Sequence, residues 1–295
     1  SRFNAPTMAS LNSTTTMNQA SDMTHAPVEK PSTPPTHILP SQLAQVYSYV
    51  HPVLLLALCA VRFEALVENP AQELRADLPW LALLQISYAT VCLPPSGSIA
   101  SETNATDGKS APRSSSGPNV TLRPGKPGYR RKQHSWKNIL NGVLVRLTPT
   151  LLSITLAFFI ATPVLSILLV LFGAPLTTHN AETVLCAAHM AVLSSTALIY
   201  TQGLDKSVWR EVWGFTRPAD AVWGSALGTG LGAWLGAIPI PLDWDRPWQA
   251  FPITILLGAY LGYSLGSLIS RTPFVYGRRI QFAPEDSTEN SKKTN

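Results

Sequence analysis

The sequence predicts an all-α fold: a polytopic membrane helix bundle with about six transmembrane helices and both termini in the cytosol. Three observations predict it. Only 13% of the 295 residues are charged against 45% apolar, about half the charged share of an ordinary soluble domain. The mean hydropathy is +0.12, and the charges collect in a few stretches that alternate with apolar runs close to the roughly 20 residues a helix needs to cross a hydrocarbon core. The basic residues fall mostly on one side of that alternation, which orients the chain.

Residues 1–39 carry Pro27, Pro31, Pro34 and Pro35 among Ser, Thr and Met and lack apolar periodicity, so they are predicted to form a disordered cytosolic tail. No apolar run there suits a signal peptide, and the first apolar segment is expected to act as its own insertion signal. A membrane domain follows over residues 40–272. Its spans are predicted at residues 42–61, with His51-Pro52 in the middle, and at 78–93, opening on Pro79-Trp80. The third lies at 149–172, where LLSITLAFFIATPVLSILLVLF holds no charge and Pro163 is expected to kink the helix. The last three are placed at 183–201, 219–240 and 251–270. Between the second and third spans, residues 94–138 form a Ser/Gly/Pro/Lys/Arg loop with no capacity to bury a core, and residues 273–295 form a polar cytosolic tail.

With the tails, the 94–148 stretch and the 202–218 loop on one side, 19 of the 22 basic residues lie there, leaving Arg62, Arg75 and Arg246 opposite. That asymmetry makes the basic side cytosolic. It accounts for the net charge of +5 without nucleic acid, which is not an expected partner. Lys292 and Lys293, three and two residues from the last, match a di-lysine retrieval signal of endoplasmic reticulum membrane proteins. The sequons at Asn12, Asn104 and Asn119 fall on the cytosolic side and are expected to stay unmodified. Cys59, Cys92 and Cys186 all lie in apolar stretches and are read as buried small hydrophobes.

The most informative stretch is the last pair of spans. Gly224, Gly228, Gly232 and Gly236 recur every four residues, and so do Gly258, Gly262 and Gly266. Residues four apart share a helix face, so each span carries a groove suited to close helix packing. The same groove could instead admit a lipid chain or a partner's helix, and spacing does not distinguish a neighbour within the chain from one outside it. Between these spans, prolines 239, 241 and 247 stiffen the connection, and Trp244 and Trp248 suit the headgroup level. Asp243, Asp245 and Arg246 would then sit at the lumenal surface. A turn or partner contact is the preferred reading for the two aspartates over a metal site, since no histidine or cysteine ligands lie near them. Arg246 could pair with those carboxylates or meet a lipid phosphate. His51 and His189 are costly in hydrocarbon and should face protein; Gln85, Ser194 and Ser195 are their candidate hydrogen-bond partners.

The string GAWLGAIPIPLDWDRPWQAFPI at residues 232–253, with the glycine ribbons flanking it, resembles the PIG-F family of glycosylphosphatidylinositol (GPI) anchor biosynthesis. The layout of spans is similar over about residues 40–270, although the distinctive motif is confined to the last hairpin, and the 94–138 loop looks like an insertion. The resemblance implies a non-catalytic membrane subunit that binds and stabilises a GPI ethanolamine-phosphate transferase at the endoplasmic reticulum. The implied partners are that large catalytic membrane enzyme, membrane lipids and the GPI precursor. The 239–250 loop then becomes the candidate partner or lipid contact, and neither a cofactor nor a metal nor a catalytic residue is expected on this chain. Two other functions compete: a self-sufficient membrane transferase using Asp243, Asp245 and the embedded histidines, and a lipid transporter or scramblase working along the glycine grooves. No inverted pair of broken helices favours the latter.

Overall fold

A computed structural model describes residues 33–96, 136–242 and 244–280, with only the backbone described for 136–143. The predicted N-terminal tail up to residue 32, most of the 94–138 loop, Asp243, and Lys292 and Lys293 in the C-terminal tail lie outside the described residues. The described chain is all helical, without strands.

Helix α1, Gln42–Val61, starts at Ser41, whose side chain accepts from the Ala44 amide. It keeps Pro52 in its interior, and Val61 leads into the short α2, Phe63–Glu68. Helix α3, Pro70–Cys92, begins eight residues before the predicted second span. Asn69 caps it and Pro70 occupies the first turn, where a missing N–H is no loss. The expected start at Pro79-Trp80 is thereby corrected: Pro79 lies inside a helix already under way. The added turns carry Glu73 and Asp77, which Arg62 meets at 2.9 and 3.8 Å.

The third apolar stretch is helix α4, Trp136–Leu156, a π-helical turn at Ala157–Ala161, and helix α5, Thr162–Leu171. Proline 163 has no N–H to give and its ring crowds the preceding turn. The wider π turn just before it makes room, which is how the expected kink site is accommodated. Helix α6, Asn180–Gln202, is the most buried long helix and packs on α3, α4, α5, α8 and α9. It stops at Gly203, in the left-handed region at φ 64°. Helix α7, Lys206–Trp213, is a short amphipathic piece capped by Asp205. Helices α8, Ala221–Ala237, and α9, Ile253–Ile269, form the last hairpin and are each other's principal neighbours.

Among the described residues, three helices are long and apolar enough to cross a membrane: Gln42–Val61, Leu144–Leu171 and Asn180–Gln202. Helix α3 spreads its charged first turns ahead of an apolar second half. Helix α9 is apolar but 17 residues long. The core joins α1, α3, α6 and α9 through side chains such as Leu55, Leu74, Leu81, Leu193 and Tyr263. Phe159, Ile167 and Leu171 of the α4–α5 stretch stay exposed. All three cysteines are free and buried, as expected of small hydrophobes.

Candidate functional site

The glycine ribbons face one another. A Cβ added to Gly228 would strike the carbonyl oxygen of Gly262, and one on Gly262 would strike that of Gly228. Gly232 and Gly258 block each other in the same way, as do Gly224 and Gly266, while Gly236 meets the Thr254 backbone. The seam therefore runs backbone against backbone along the whole hairpin, which is the geometry in which small residues gain most from van der Waals contact in lipid. This settles a choice the spacing left open: both ribbons are occupied within the chain. Gly230, off the repeat, meets nothing within 4 Å.

The seam ends in the 239–250 loop, which a buried glutamine ties together. Gln249 Nε2 donates to the carbonyls of Pro239 and Leu242. Those carbonyls lie where Pro239 and Pro241 have ended helix α8. Pro247–Gln249 forms one 3-10 turn that brings the glutamine inward. Asp245 adopts φ 49°, a left-handed conformation that aspartate tolerates better than most residues. The backbone is therefore not extended at Asp245, and Asp243 itself is outside the described residues. Trp244 is exposed and Trp248 half-buried, their ring centroids 6.0 Å apart. Arg246 is exposed and makes no ion pair among the described residues. The loop presents Trp244, Asp245 and Arg246 at the tip of a rigid hairpin.

The embedded histidines are interhelical ties, with partners other than those expected. His189 Nε2 donates to the Leu74 carbonyl at 2.9 Å, so Nδ1 must accept, and it takes the Tyr260 hydroxyl at 3.0 Å. One neutral imidazole thus joins α6, α3 and α9. His51 stacks on Tyr88 with centroids 4.5 Å apart and lies 3.3 Å from the Tyr263 hydroxyl. Ser194 turns back to the Met190 carbonyl instead. The tyrosines went unnoticed because a tyrosine in an apolar run reads as a large hydrophobe until its hydroxyl finds a partner.

A second polar cluster was missed entirely. Arg217, counted in the sequence among the basic loop residues, is fully buried and pairs with buried Asp220 at 2.9 Å. Asp220 also accepts from the Trp223 amide as the cap of α8 and from the Thr36 amide. Thr36 Oγ1 in turn accepts from Arg217 and Gln202. Backbone bonds between Ala219 and residues 277–278 close the same end. Burial, with nearby Asp220 adding to it, raises the Tyr276 hydroxyl above its usual range. The only hint in the sequence was an aspartate one residue before an apolar run, the ordinary mark of a helix cap.

Among the described residues there is no group of three or more His, Cys, Asp or Glu side chains placed to hold a metal. Seam, loop and polar ties together define a helical membrane protein whose polar side chains fasten helices to one another. The chain belongs to the GPI biosynthesis protein family Pig-F, whose profile matches residues 50–271. It is 56% identical over 278 residues to glycosylphosphatidylinositol anchor biosynthesis protein 11 of Aspergillus fumigatus, covering 90% of this chain and 92% of that one. The protein of the same name from Neurospora crassa is 40% identical over 83% of this chain and 81% of its own. The human protein named GPI ethanolamine phosphate transferase, stabilizing subunit, is 38% identical over 121 residues, 39% of this chain and 54% of its length. No solved structure matches.

Proposed function

We propose that this chain is a non-catalytic membrane subunit that binds and stabilises a GPI ethanolamine-phosphate transferase during GPI-anchor biosynthesis at the endoplasmic reticulum. The carrying observation is its membership of the Pig-F family, together with its likeness to the human protein named GPI ethanolamine phosphate transferase, stabilizing subunit. Six spans are proposed: α1, the apolar half of α3, Leu144–Leu171, α6, α8 and α9, with residues 1–39, the 94–138 loop and the 273–295 tail in the cytosol. The basic-residue asymmetry supports that orientation, and the 239–250 loop then lies in the lumen.

The geometry supports a particular mode of action. Because the glycine seam is filled from within, the partner has to meet a different surface. The loop is the natural candidate, since Trp244 and Arg246 are exposed there and Gln249 fixes its shape. An aromatic–arginine surface is the composition that concentrates binding energy in protein interfaces. The test is recovery of the transferase with the tagged chain from native membranes in mild detergent, together with the transferase's steady-state level. Trp244→Ala with Trp248→Ala is expected to reduce both. If no large membrane enzyme is recovered, or if the purified chain alone transfers ethanolamine phosphate, the reading is wrong.

A further inference from the structure

Arg271 stands just past the end of α9, where that helix meets α1 and the segment leading into it. Its Nη1 donates to Ser48 Oγ at 2.9 Å, and its Nη2 to Ser267 at 3.2 Å and Tyr88 at 3.4 Å. The guanidinium also lies over the Tyr49 ring, 5.1 Å from its centroid. Every one of these partners is neutral. Among the described residues no carboxylate comes within ion-pair distance of Arg271, and its Nε is buried without an acceptor. Arg62 and Arg217, which do form ion pairs, each have an aspartate or glutamate beside them. The closest buried acid to this end of the chain, Asp220, is fully engaged by Arg217 and two backbone amides.

A guanidinium stays charged under all ordinary conditions, and drawing it from water without a counter-ion is unfavourable. A cavity of about 350 Å3 opens beside it, lined among others by Thr36, Gln45, Ser48, Tyr49 and Tyr276, and by no Asp or Glu among the described residues. That volume falls within the range of small-molecule sites, about 300–1,000 Å3. The cavity lies at the boundary of the apolar bundle. Val53, four residues after Tyr49 on α1, and Leu265 and Leu268 on α9, the two helices that flank Arg271, are exposed apolar side chains. We infer that this cavity holds the phosphodiester of one membrane phospholipid, its phosphate on Arg271 and its acyl chains along Val53, Leu265 and Leu268. Arginine presents the fork that matches phosphate oxygens, the hydroxyl partners hold that fork in place, and the lined cavity has room for glycerol and headgroup. The inference rests on the chain's lying in a membrane and is independent of any transferase.

The test is thermal unfolding of the full-length chain in mild detergent with three probes: dioctanoylphosphatidylcholine, dioctanoylglycerol and inorganic phosphate. The phospholipid is expected to raise Tm saturably, and the other two to leave it unchanged. An equal rise with dioctanoylglycerol would mean the phosphate is not recognised and would overturn the site. A rise with inorganic phosphate as large as with the lipid would make this a site for a soluble anion and would overturn the lipid assignment. No rise with any probe overturns the proposal altogether. Arg271→Gln is expected to weaken the phospholipid by roughly tenfold or more, as for loss of hydrogen bonds to a charged partner. Because Arg271 also bridges helices, Gln45→Trp supplies a second variant. Gln45 is exposed, so the indole fills the cavity without touching those bridges. It should leave the unliganded Tm in place and abolish the phospholipid shift; a full shift in Gln45→Trp would sink the proposal.

Discussion

Both carboxylate oxygens of Asp220 are engaged: Oδ1 caps α8 through the Trp223 amide, and Oδ2 takes Arg217 and the Thr36 amide. Removing one member of a buried ion pair typically costs about 3–5 kcal/mol, mostly through the charge left behind. Arg217→Met is therefore expected to destabilise the chain by that order in detergent unfolding. Adding Asp220→Asn should recover part of the loss, because the stranded charge goes with it; a purely additive double variant would show that the pair is not coupled. Gln249→Ala leaves the Pro239 and Leu242 carbonyls without their donor. A loss of about 1–3 kcal/mol follows, read as a lower unfolding midpoint with faster protease cleavage in the 239–250 loop. Little of this was legible in the sequence. Counting lysines and arginines reports which side of a membrane they occupy and not how deep each one lies, so Arg217 passed for a surface charge. The histidines were recognised as interhelical, but their partners Tyr260 and Tyr263 come from a helix 71 and 212 residues away in the chain.

The α8–α9 hairpin shows the opposite case. Its four-residue glycine period was plain in the sequence, because periodicity is a local property that needs no tertiary information. What the period packs against was not, since a groove looks the same whether the chain or a stranger fills it. The structure makes the prediction sharp. Gly228→Val and Gly262→Val place side chains into the opposing backbone, so each is expected to abolish a monodisperse folded species in size-exclusion chromatography. Gly230→Ala meets open space and should be neutral or stabilising by up to about 1 kcal/mol, the helix-propensity difference. Equal damage from Gly230→Ala and Gly228→Val would mean that the seam does not lie where the structure puts it. The start of α3 was misjudged for a related reason: the hydropathy of its first turns is low, and the Asn69-Pro70 cap outweighs it.

For the whole molecule, the all-helical character and the boundaries of α1 were read directly from apolar runs, and α6, α8 and α9 came within three residues at each end. The six crossings are proposed from the apolar runs and oriented by charge asymmetry, and the orientation has a direct check. A glycosylation acceptor introduced beside Trp244 should be modified in endoplasmic reticulum membranes, while Asn12, Asn104 and Asn119 stay bare; modification of any native sequon would reverse the orientation. The hairpin carries one more consequence. Helices α8 and α9 have 17 residues each, about 26 Å at 1.5 Å per residue. That is a few ångströms short of an average hydrocarbon core of about 30 Å, and close to the roughly 27 Å of the endoplasmic reticulum bilayer. In a thicker, sterol-rich membrane the lipid around this hairpin would have to thin, at a fraction of a kcal/mol for each ångström. Prolines bound both helices, and backbone contact along the seam leaves little freedom for one to slide past the other. With the hairpin spanning the membrane as proposed, hydrophobic mismatch would therefore act on this protein as a sorting force, favouring thin membranes independently of any signal a receptor reads.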